Sequence, residues 1–273
     1  MTEASFNRFR TFIEGNLGIK MPPSKMIMLE TRLGKRLRAL RLDDYEQYCD
    51  YVFSDEGFAQ EIQQLIDVVT TNETDFFRES HHFDLMTSRV LPSLVQENGI
   101  KNLNVWSVAA STGQESYTLA MVIEEFARAK AIPLEYKILG TDISEKVLKI
   151  ATTGIYTLHQ ASKIPDSLKR RYCMKSKNPE QKTLRMTPEI RQKVLFRQLN
   201  LMDDSYPIRK QYHIVFCRNV FIYFDRPTQK QVLQRIYSHI APGGYLFMGH
   251  SENIGSVDLA LRSISTAAYR KEE

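Results

Sequence analysis

Short apolar runs alternate with amphipathic segments over the last two thirds of the chain, and no other sequence feature constrains the fold as strongly. Four runs have strand length, at residues 104–108, 136–141, 213–217 and 244–249. The segments with helical length and spacing are residues 82–96, 115–130, 144–152 and 228–240. Strands that alternate with helices in this way form a parallel sheet with helices on both faces. The sequence therefore predicts an α/β fold, with residues 268–271 as an edge strand.

A polar and basic segment interrupts this alternation between residues 154 and 199. It contains two short β-like stretches, 183–186 and 194–197, among many lysines and arginines. We interpret it as an inserted small antiparallel β-subdomain over about residues 155–198. A disordered loop is the alternative interpretation, because long connections without secondary structure are uncommon in compact domains but do occur.

The first 70 residues have a purely helical pattern. Phe6, Phe9, Ile13 and Leu17 recur at helical spacing, and Gly18 follows as a stop signal. Two prolines at 22–23 precede a second helix, and two further helices are predicted before residue 70. The sequence thus predicts a small all-α domain over residues 1–70 and a second domain over residues 71–273.

The composition is that of an ordinary globular protein, with 42% hydrophobic and 25% charged residues. No apolar run approaches the ~20 residues that span a bilayer, and the N-terminus lacks a secretory apolar core. We therefore expect no membrane insertion and a cytoplasmic location. Cys49, Cys173 and Cys217 are far apart, so neither a disulfide framework nor a metal site is expected.

Positive charge is concentrated in the second predicted helix and its flanks. Between residues 20 and 41 there are seven cationic side chains and one acidic side chain, Glu30. Such an excess attracts an acidic partner, although a basic face that is merely exposed to water is the alternative. Aromatic residues do not interleave the cations, which argues against single-stranded nucleic acid as the partner.

Residues 70–79 combine small polar and acidic side chains with a Phe76-Phe77 pair and Arg78. A site for a polar, partly aromatic ligand uses both kinds of side chain. The alternative is a helix cap, with Thr74 or Asp75 as the capping residue.

Two strand-to-helix turns would lie at the carboxyl edge of the predicted sheet, where open α/β sheets bind ligands. The first, residues 109–115, has only one glycine, so the dinucleotide pattern of spaced glycines is absent. In this turn Ser111 and Thr112 are candidate helix caps. In the second turn we expect Asp142 to accept hydrogen bonds from ribose hydroxyls, while Ser144 caps the next helix.

Polar side chains from two later segments would meet the same edge. Asn200 follows a strand-like stretch, and its amide is a candidate for reading an adenine edge. Arg218, Asn219 and Tyr223 project from an otherwise apolar run just past a strand. Burying three such groups is costly unless they are bonded, so we interpret them as site residues.

Four motifs in order, at residues 70–79, 105–117, 216–224 and 242–252, resemble those of the bacterial chemotaxis receptor methyltransferases of the CheR type. The resemblance covers nearly the whole chain. It implies a Rossmann-like class I methyltransferase sheet, S-adenosylmethionine as methyl donor, and glutamates on the cytoplasmic helices of chemoreceptors as acceptors. It also implies recruitment to receptor arrays at the membrane, and we expect a monomer.

The resemblance also assigns roles to individual residues. The implied cofactor contacts are Asn72, Thr74, Arg78, Glu115, Asp142, Asn200, Leu201, Arg218 and Asn219. Arg78 and Tyr223 would lie near the reacting methyl group and act in catalysis. The basic residues of the second helix, which would contact the receptor, are Lys25, Arg32, Lys35, Arg36 and Arg38.

Three alternative functions remain open at the level of sequence. A class I methyltransferase acting on RNA or a small molecule would share the cofactor pocket, and a noncatalytic nucleotide-binding adaptor would retain it without transfer. An NAD oxidoreductase ranks last because the glycine fingerprint is missing. His81, His82 and His250 either line the site or pack, and packing is the favoured interpretation.

Overall fold

The computed structural model describes residues 1–178, 180–253 and 258–272. Its first 70 residues form four helices, and their bounds are α1 Glu3–Leu17, α2 Met26–Leu40, α3 Tyr45–Val52 and α4 Asp55–Val69. Thr2 caps the start of α1 by accepting from the Ser5 amide, and Gly18, with a positive φ of 68°, caps its end. The apolar residues of α1 and α2 are buried against α3 and α4, so this domain has its own core.

The second domain begins with a helical segment that contains α5, His81–Leu85, and continues through two π-helical stretches, Met86–Val90 and Pro92–Glu97. The elements before the insertion are β1 Asn102–Val108, α6 Gln114–Lys130, β2 Glu135–Asp142 and α7 Glu145–Thr153. The insertion contains β3 Ile155–Thr157, α8 Asp166–Tyr172, β4 Cys173–Lys175, β5 Thr183–Met186 and α9 Pro188–Gln192. The remaining elements are β6 Val194–Gln198, β7 Tyr212–Cys217, α10 Arg226–Ser238, β8 Ile240–Met248, β9 Leu261–Ser265 and β10 Ala268–Lys271.

A seven-stranded sheet with the order β6-β2-β1-β7-β8-β10-β9 forms the centre of this domain. The five strands β6, β2, β1, β7 and β8 are parallel, while β10 pairs antiparallel with β8 and β9. Both faces are covered, since Val105 of β1 belongs to one apolar cluster and Trp106 to the other. The predicted α/β fold with a preceding all-α domain is confirmed.

The insertion does contain a small antiparallel sheet, with the order β3-β5-β4. The stretch 194–197, however, was assigned to the insertion from the sequence, and this was wrong. Strand β6 pairs in parallel with β2, with Val194 opposite Ile138. Gly140 of β2 makes this pairing possible, because a Cβ at that position would lie 2.6 Å from the Phe196 ring.

The expectation of an edge strand at residues 268–271 was also wrong. Strand β10 lies between β8 and β9, and β9 is the edge strand at that side of the sheet. Its short sequence, Ala-Tyr-Arg-Lys, is compatible with either position, because strand propensity does not show how many neighbouring strands a segment has.

Candidate active site

A cavity of about 320 Å³ lies at the carboxyl edge of the central sheet, where the strand order reverses between β1 and β7. Ala109, which follows β1, and Arg218, which follows β7, line it. This is the position at which open α/β sheets bind ligands. Its volume is in the range of small-molecule sites.

Both domains contribute to the walls of this cavity. Met28 and Arg32 of α2 line it from the helical domain, together with Leu17 at the end of α1. Two hydrogen bonds join the domains beside it: the Lys20 amide donates to the Tyr223 carbonyl at 2.9 Å, and Asn200 Nδ2 donates to the Asn16 carbonyl at 2.8 Å.

The cavity brings together all nine residues predicted to contact a cofactor, and Tyr223 as well. They come from five separate segments of the chain. The residues of this set are Asn72, Thr74, Arg78, Glu115, Asp142, Asn200, Leu201, Arg218 and Asn219. Their individual contacts with a cofactor remain predictions.

Asp142 ends β2 and is held by two backbone amides. Its Oδ2 accepts from the Ser111 amide at 2.8 Å and its Oδ1 from the Ser144 amide at 3.0 Å. Burial raises the pKa of this carboxyl, and the two amide bonds oppose the shift. Ser144 caps α7 by accepting from the Val147 amide, as predicted. A carboxylate has four lone-pair positions, so Asp142 retains acceptor capacity for a ligand hydroxyl.

Arg218 is the most deeply placed cation of the site, with 6% of its surface exposed. Its Nε lies 3.5 Å from Glu115 Oε2 and 3.6 Å from Glu79 Oε2, and its guanidinium lies over the rings of Phe83 and Phe216. Burial raises the pKa of Glu115, and Arg218 lowers it. Ser107 Oγ donates to the other Glu115 oxygen at 2.8 Å.

Strained backbone is concentrated around this cavity. Five residues other than glycine adopt positive φ here: Phe77, Glu79, Ala109, Ser111 and Asn219. Such conformations cost about 1–3 kcal/mol each and persist where the surroundings hold them, as at functional sites.

The candidate helix caps considered from the sequence at residues 74–75 and 111–112 are not formed. Neither Ser111 nor Thr112 caps α6, because Gly113 occupies the cap position without a side-chain bond, and Ser111 Oγ donates to the Asn72 carbonyl instead. Thr74 and Asp75 do not cap the helix that follows, which begins after Ser80.

The two polar atoms of the Asn200 side chain have partners within the chain. Its Nδ2 donates to the Asn16 carbonyl, and its Oδ1 accepts from the Met202 amide at 3.0 Å. The side chain therefore joins the two domains, and the contact of its amide with a base edge remains a prediction.

The basic residues of α2 fall into distinct groups. Arg36 forms two bonds with Glu61, a carboxylate with only 3% of its surface exposed, and is therefore a structural residue. Arg32 donates to the Val69 carbonyl and to Thr71 Oγ1, and it lines the cavity together with Lys25. Lys35 and Arg38 are exposed. Only these two have the free position expected of a docking surface.

The three histidines pack against one another outside the cavity. His81 lies 4.1 Å, ring centre to ring centre, from both His82 and His250. His82 is fully buried beside Phe247, and burial lowers its pKa to about 3. Packing was the favoured interpretation, and the structure agrees with it. Across residues 1–178, 180–253 and 258–272, no group of three histidine, cysteine or acidic residues has the arrangement of a metal site.

Three polar residues of the site had no role assigned from the sequence. Ser107 and Glu79 contact Glu115 and Arg218, and Glu252 accepts from three backbone amides near Asn219.

Comparison with known families assigns the chain as a whole. The all-alpha domain of CheR methyltransferases matches residues 4–70, and their S-adenosylmethionine-binding domain matches residues 72–270. The chain belongs to the CheR methyltransferase family.

Relatives cover nearly the full chain. It is 36% identical to chemotaxis protein methyltransferase 2 of Pseudomonas aeruginosa over 268 residues, 98% of this chain and 93% of the relative. It is 33% identical to the chemotaxis protein methyltransferase of Borreliella burgdorferi (99% and 95% covered) and 35% identical to that of Salmonella typhimurium (100% and 92% covered). This CheR-family protein is therefore an S-adenosylmethionine-dependent methyltransferase.

The residues of the cavity fit such a donor. Nε and Nη1 of Arg218, which lines the cavity, are buried without hydrogen-bond partners, which leaves polar atoms available for ligand groups. Glu115 provides the negative charge that a donor with ammonium and sulfonium groups requires, and Asp142 has acceptor capacity for ribose hydroxyls.

No described helix is long and apolar enough to cross a membrane.

Proposed function

We propose that this CheR methyltransferase transfers the methyl group of S-adenosylmethionine to the side-chain carboxylates of glutamates on the cytoplasmic helices of chemoreceptors. The product is a glutamate methyl ester. The observation that supports this most directly is that two cations, Lys25 just before α2 and Arg32 within it, line the same cavity as the residues predicted to hold the donor. An acidic acceptor would thus be attracted to the point of transfer. The names of the relatives, all chemotaxis methyltransferases, agree with this acceptor class.

The proposed reaction does not need a general base. A glutamate carboxylate with an ordinary pKa of ~4.3 is ionised at pH 7. No histidine is among the described residues that line the cavity. When bound, S-adenosylmethionine supplies an electrophilic methyl group on a sulfonium centre. The contribution of the protein is therefore to position the carboxylate in line with that methyl group and to remove its water.

Arg78 and Tyr223 are the proposed catalytic residues. Arg78 Nη1 donates to the Glu73 carbonyl at 3.1 Å, which holds the guanidinium in the cavity wall. Tyr223 lies near Arg32. Burial lowers the pKa of Arg32, and the interaction with Tyr223 raises it in part. We assign Arg78 to electrostatic orientation of the reactants and Tyr223 to alignment of the acceptor by its hydroxyl.

The test is methyl transfer to a receptor signalling fragment with radiolabelled S-adenosylmethionine. We expect incorporated label that is released by mild alkali, as esters are, and that is lost when the acceptor glutamates are replaced by alanine. Label that resists alkali would indicate N-methylation and thus a different acceptor. No incorporation at all, with normal cofactor binding, would support a noncatalytic adaptor.

A further inference from the structure

Glu252 is a buried carboxylate outside the set of residues assigned to the cofactor or the acceptor. It follows β8 and has 6% of its surface exposed. Its Oε2 accepts from the Gly249 amide at 2.7 Å and from the Asn219 amide at 2.8 Å, and its Oε1 accepts from the Phe221 amide at 2.8 Å. One side chain therefore satisfies three backbone donors.

These donors belong to two different loops. Gly249 follows β8, whereas Asn219 and Phe221 follow β7, so the carboxylate joins the carboxyl ends of two neighbouring strands. The junction is tightly packed, because a Cβ on Gly249 would lie 2.7 Å from both Glu252 Oε2 and Asn219 Nδ2. The strained φ of 59° at Asn219 requires such a restraint.

The segment held in this way leads directly to Tyr223. Phe221 is the first residue of the one-turn 3-10 helix Phe221–Tyr223, and its amide is the one that Glu252 Oε1 accepts from. At the other end of this turn, the Tyr223 carbonyl accepts from the Lys20 amide of the helical domain. The turn is also held by Gln229 Nε2, which donates to the Phe221 carbonyl at 2.8 Å, and by the Tyr223 amide, which donates to the Val220 carbonyl at 3.2 Å. Of the bonds at the start of the turn, the one from the Phe221 amide to Glu252 connects the turn to the loop after β8.

We infer that Glu252 is a positioning residue for methyl transfer, which acts through the Phe221–Tyr223 turn on the Tyr223 hydroxyl. The inference rests on the proposed function, and specifically on the role of Tyr223 in aligning the acceptor. Glu252, which lies 29 positions after Tyr223 in the sequence, thus keeps that hydroxyl in place.

Glu252→Gln separates this role from cofactor binding. The single amide oxygen of glutamine can replace Oε2, which keeps the bonds from the Gly249 and Asn219 amides, but its NH₂ group then faces the Phe221 amide. Two donors cannot pair, so the loss falls on the turn that carries Tyr223. Asn219 and Arg218, the predicted cofactor residues of this loop, keep their support.

The experiment is a double-mutant cycle of Glu252→Gln and Tyr223→Phe, with kcat and KM for a receptor fragment and the Kd of S-adenosylhomocysteine as readouts. We expect Glu252→Gln to lower kcat about 10- to 100-fold, as a misplaced catalytic group does. The Kd should change by less than about threefold. In the double variant the loss should be close to that of Tyr223→Phe alone, because both changes remove one function.

Additive losses in the cycle, or an unchanged kcat for Glu252→Gln while Tyr223→Phe is slow, would overturn the inference and leave the proposed function standing. A full rate for Tyr223→Phe would instead refute the proposed role of Tyr223. Glu124→Gln is the matched control. Glu124 accepts a hydrogen bond of 2.9 Å from the Tyr136 hydroxyl, and neither residue lines the cavity.

A second variant covers the case in which Glu252→Gln does not fold. Gly249→Ala keeps the carboxylate but places a methyl group 2.7 Å from Oε2, so it displaces the same junction from the other side. It should lower kcat in the same direction as Glu252→Gln. A normal kcat for a folded Gly249→Ala would contradict the inference independently of the first variant.

Discussion

Asp142 and Glu115 differ in how they are held, although both are buried acids in one cavity. Asp142 accepts from two backbone amides, whereas Glu115 accepts from one hydroxyl and lies 3.5 Å from the Arg218 guanidinium. In both, burial disfavours the charged form and raises the pKa. A cationic ligand beside Glu115 offsets the cost of burying its charged carboxylate. The affinity for the cofactor therefore depends on the protonation state of Glu115.

We therefore predict that affinity for S-adenosylhomocysteine falls as the pH is lowered. Because the pKa values of Glu115 and Asp142 are raised, they become protonated at a higher pH than the ~4 of ordinary carboxyls, and the neutral forms hold an ammonium group and ribose hydroxyls less well. Calorimetric Kd values between pH 5 and 7.5 measure the effect. Glu115→Gln should bind more weakly at pH 7.5 and with a flatter pH profile, and an unchanged profile would contradict the assignment.

At the residue scale, sequence reasoning succeeded where one position carries a local signal. Asp142 at the end of a strand and Ser144 before a helix are recognisable without a partner. The contacts of Glu252 and Glu79 come from residues more than 30 positions away or from strained turns, so nothing local distinguishes them. The bond from Asn200 to the helical domain could not be predicted either, because its partner, the Asn16 carbonyl, lies 184 positions away.

One side of helix α2 packs into the domain core, and the opposite side exposes positive charge to solvent. Leu29, Leu33 and Leu37 form part of the core of the helical domain, and Lys35 and Arg38 lie on the exposed side. Local charge density predicted a docking surface on this helix but did not reveal that Glu61 already neutralises Arg36. The remaining exposed charges are the ones that should act on a distant acidic partner.

For the double variant Lys35→Glu, Arg38→Glu we predict a KM for the receptor fragment at least about 10-fold higher at low salt, since charge complementarity controls encounter. The kcat and the Kd of S-adenosylhomocysteine should change little. The difference should shrink at high salt as exposed charges are screened. Arg128→Glu, Lys130→Glu is the matched control, because both residues are exposed at the end of α6 that lies away from the cavity. An equal rise in KM for the control would exclude specific docking through α2.

Among the elements, the sequence located the helices and strands with a strong periodic pattern but missed the short elements β3, α8, β4 and α9 and the strand β9, and it did not show how the strands pair. The stretch 194–197 has the same pattern whether it joins the small sheet or the large one, and the choice depends on its packing against Gly140. The position of β10 between β8 and β9 was missed for the same reason, because pairing is a property of two distant segments.

The stability of the whole molecule should depend on His82. Burial lowers its pKa to about 3, below the ~6.5 of an unfolded chain, so the unfolded state binds more protons between these values. The contribution of neutral His82 to stability is thus fully present above pH 6.5. It is lost progressively as the pH falls towards 3, by up to about 1.4 kcal/mol per pH unit.

His82→Phe should accordingly flatten the dependence of the free energy of unfolding on pH between 6.5 and 4.5, measured by denaturant titration at each pH. The exposed His159→Phe serves as control and should retain the slope of the original protein. If His82→Phe kept that slope as well, the acid sensitivity of the protein would arise elsewhere.

The cavity walls come from both domains, and this has a thermodynamic consequence. A molecule that occupies the space between α2 and the sheet gains its contacts only while the two domains remain together. Its binding free energy is then also a contribution to their cohesion, about 2.7 kcal/mol at a concentration of 100 times Kd. The supply of methyl donor therefore acts on the integrity of the enzyme as well as on its turnover.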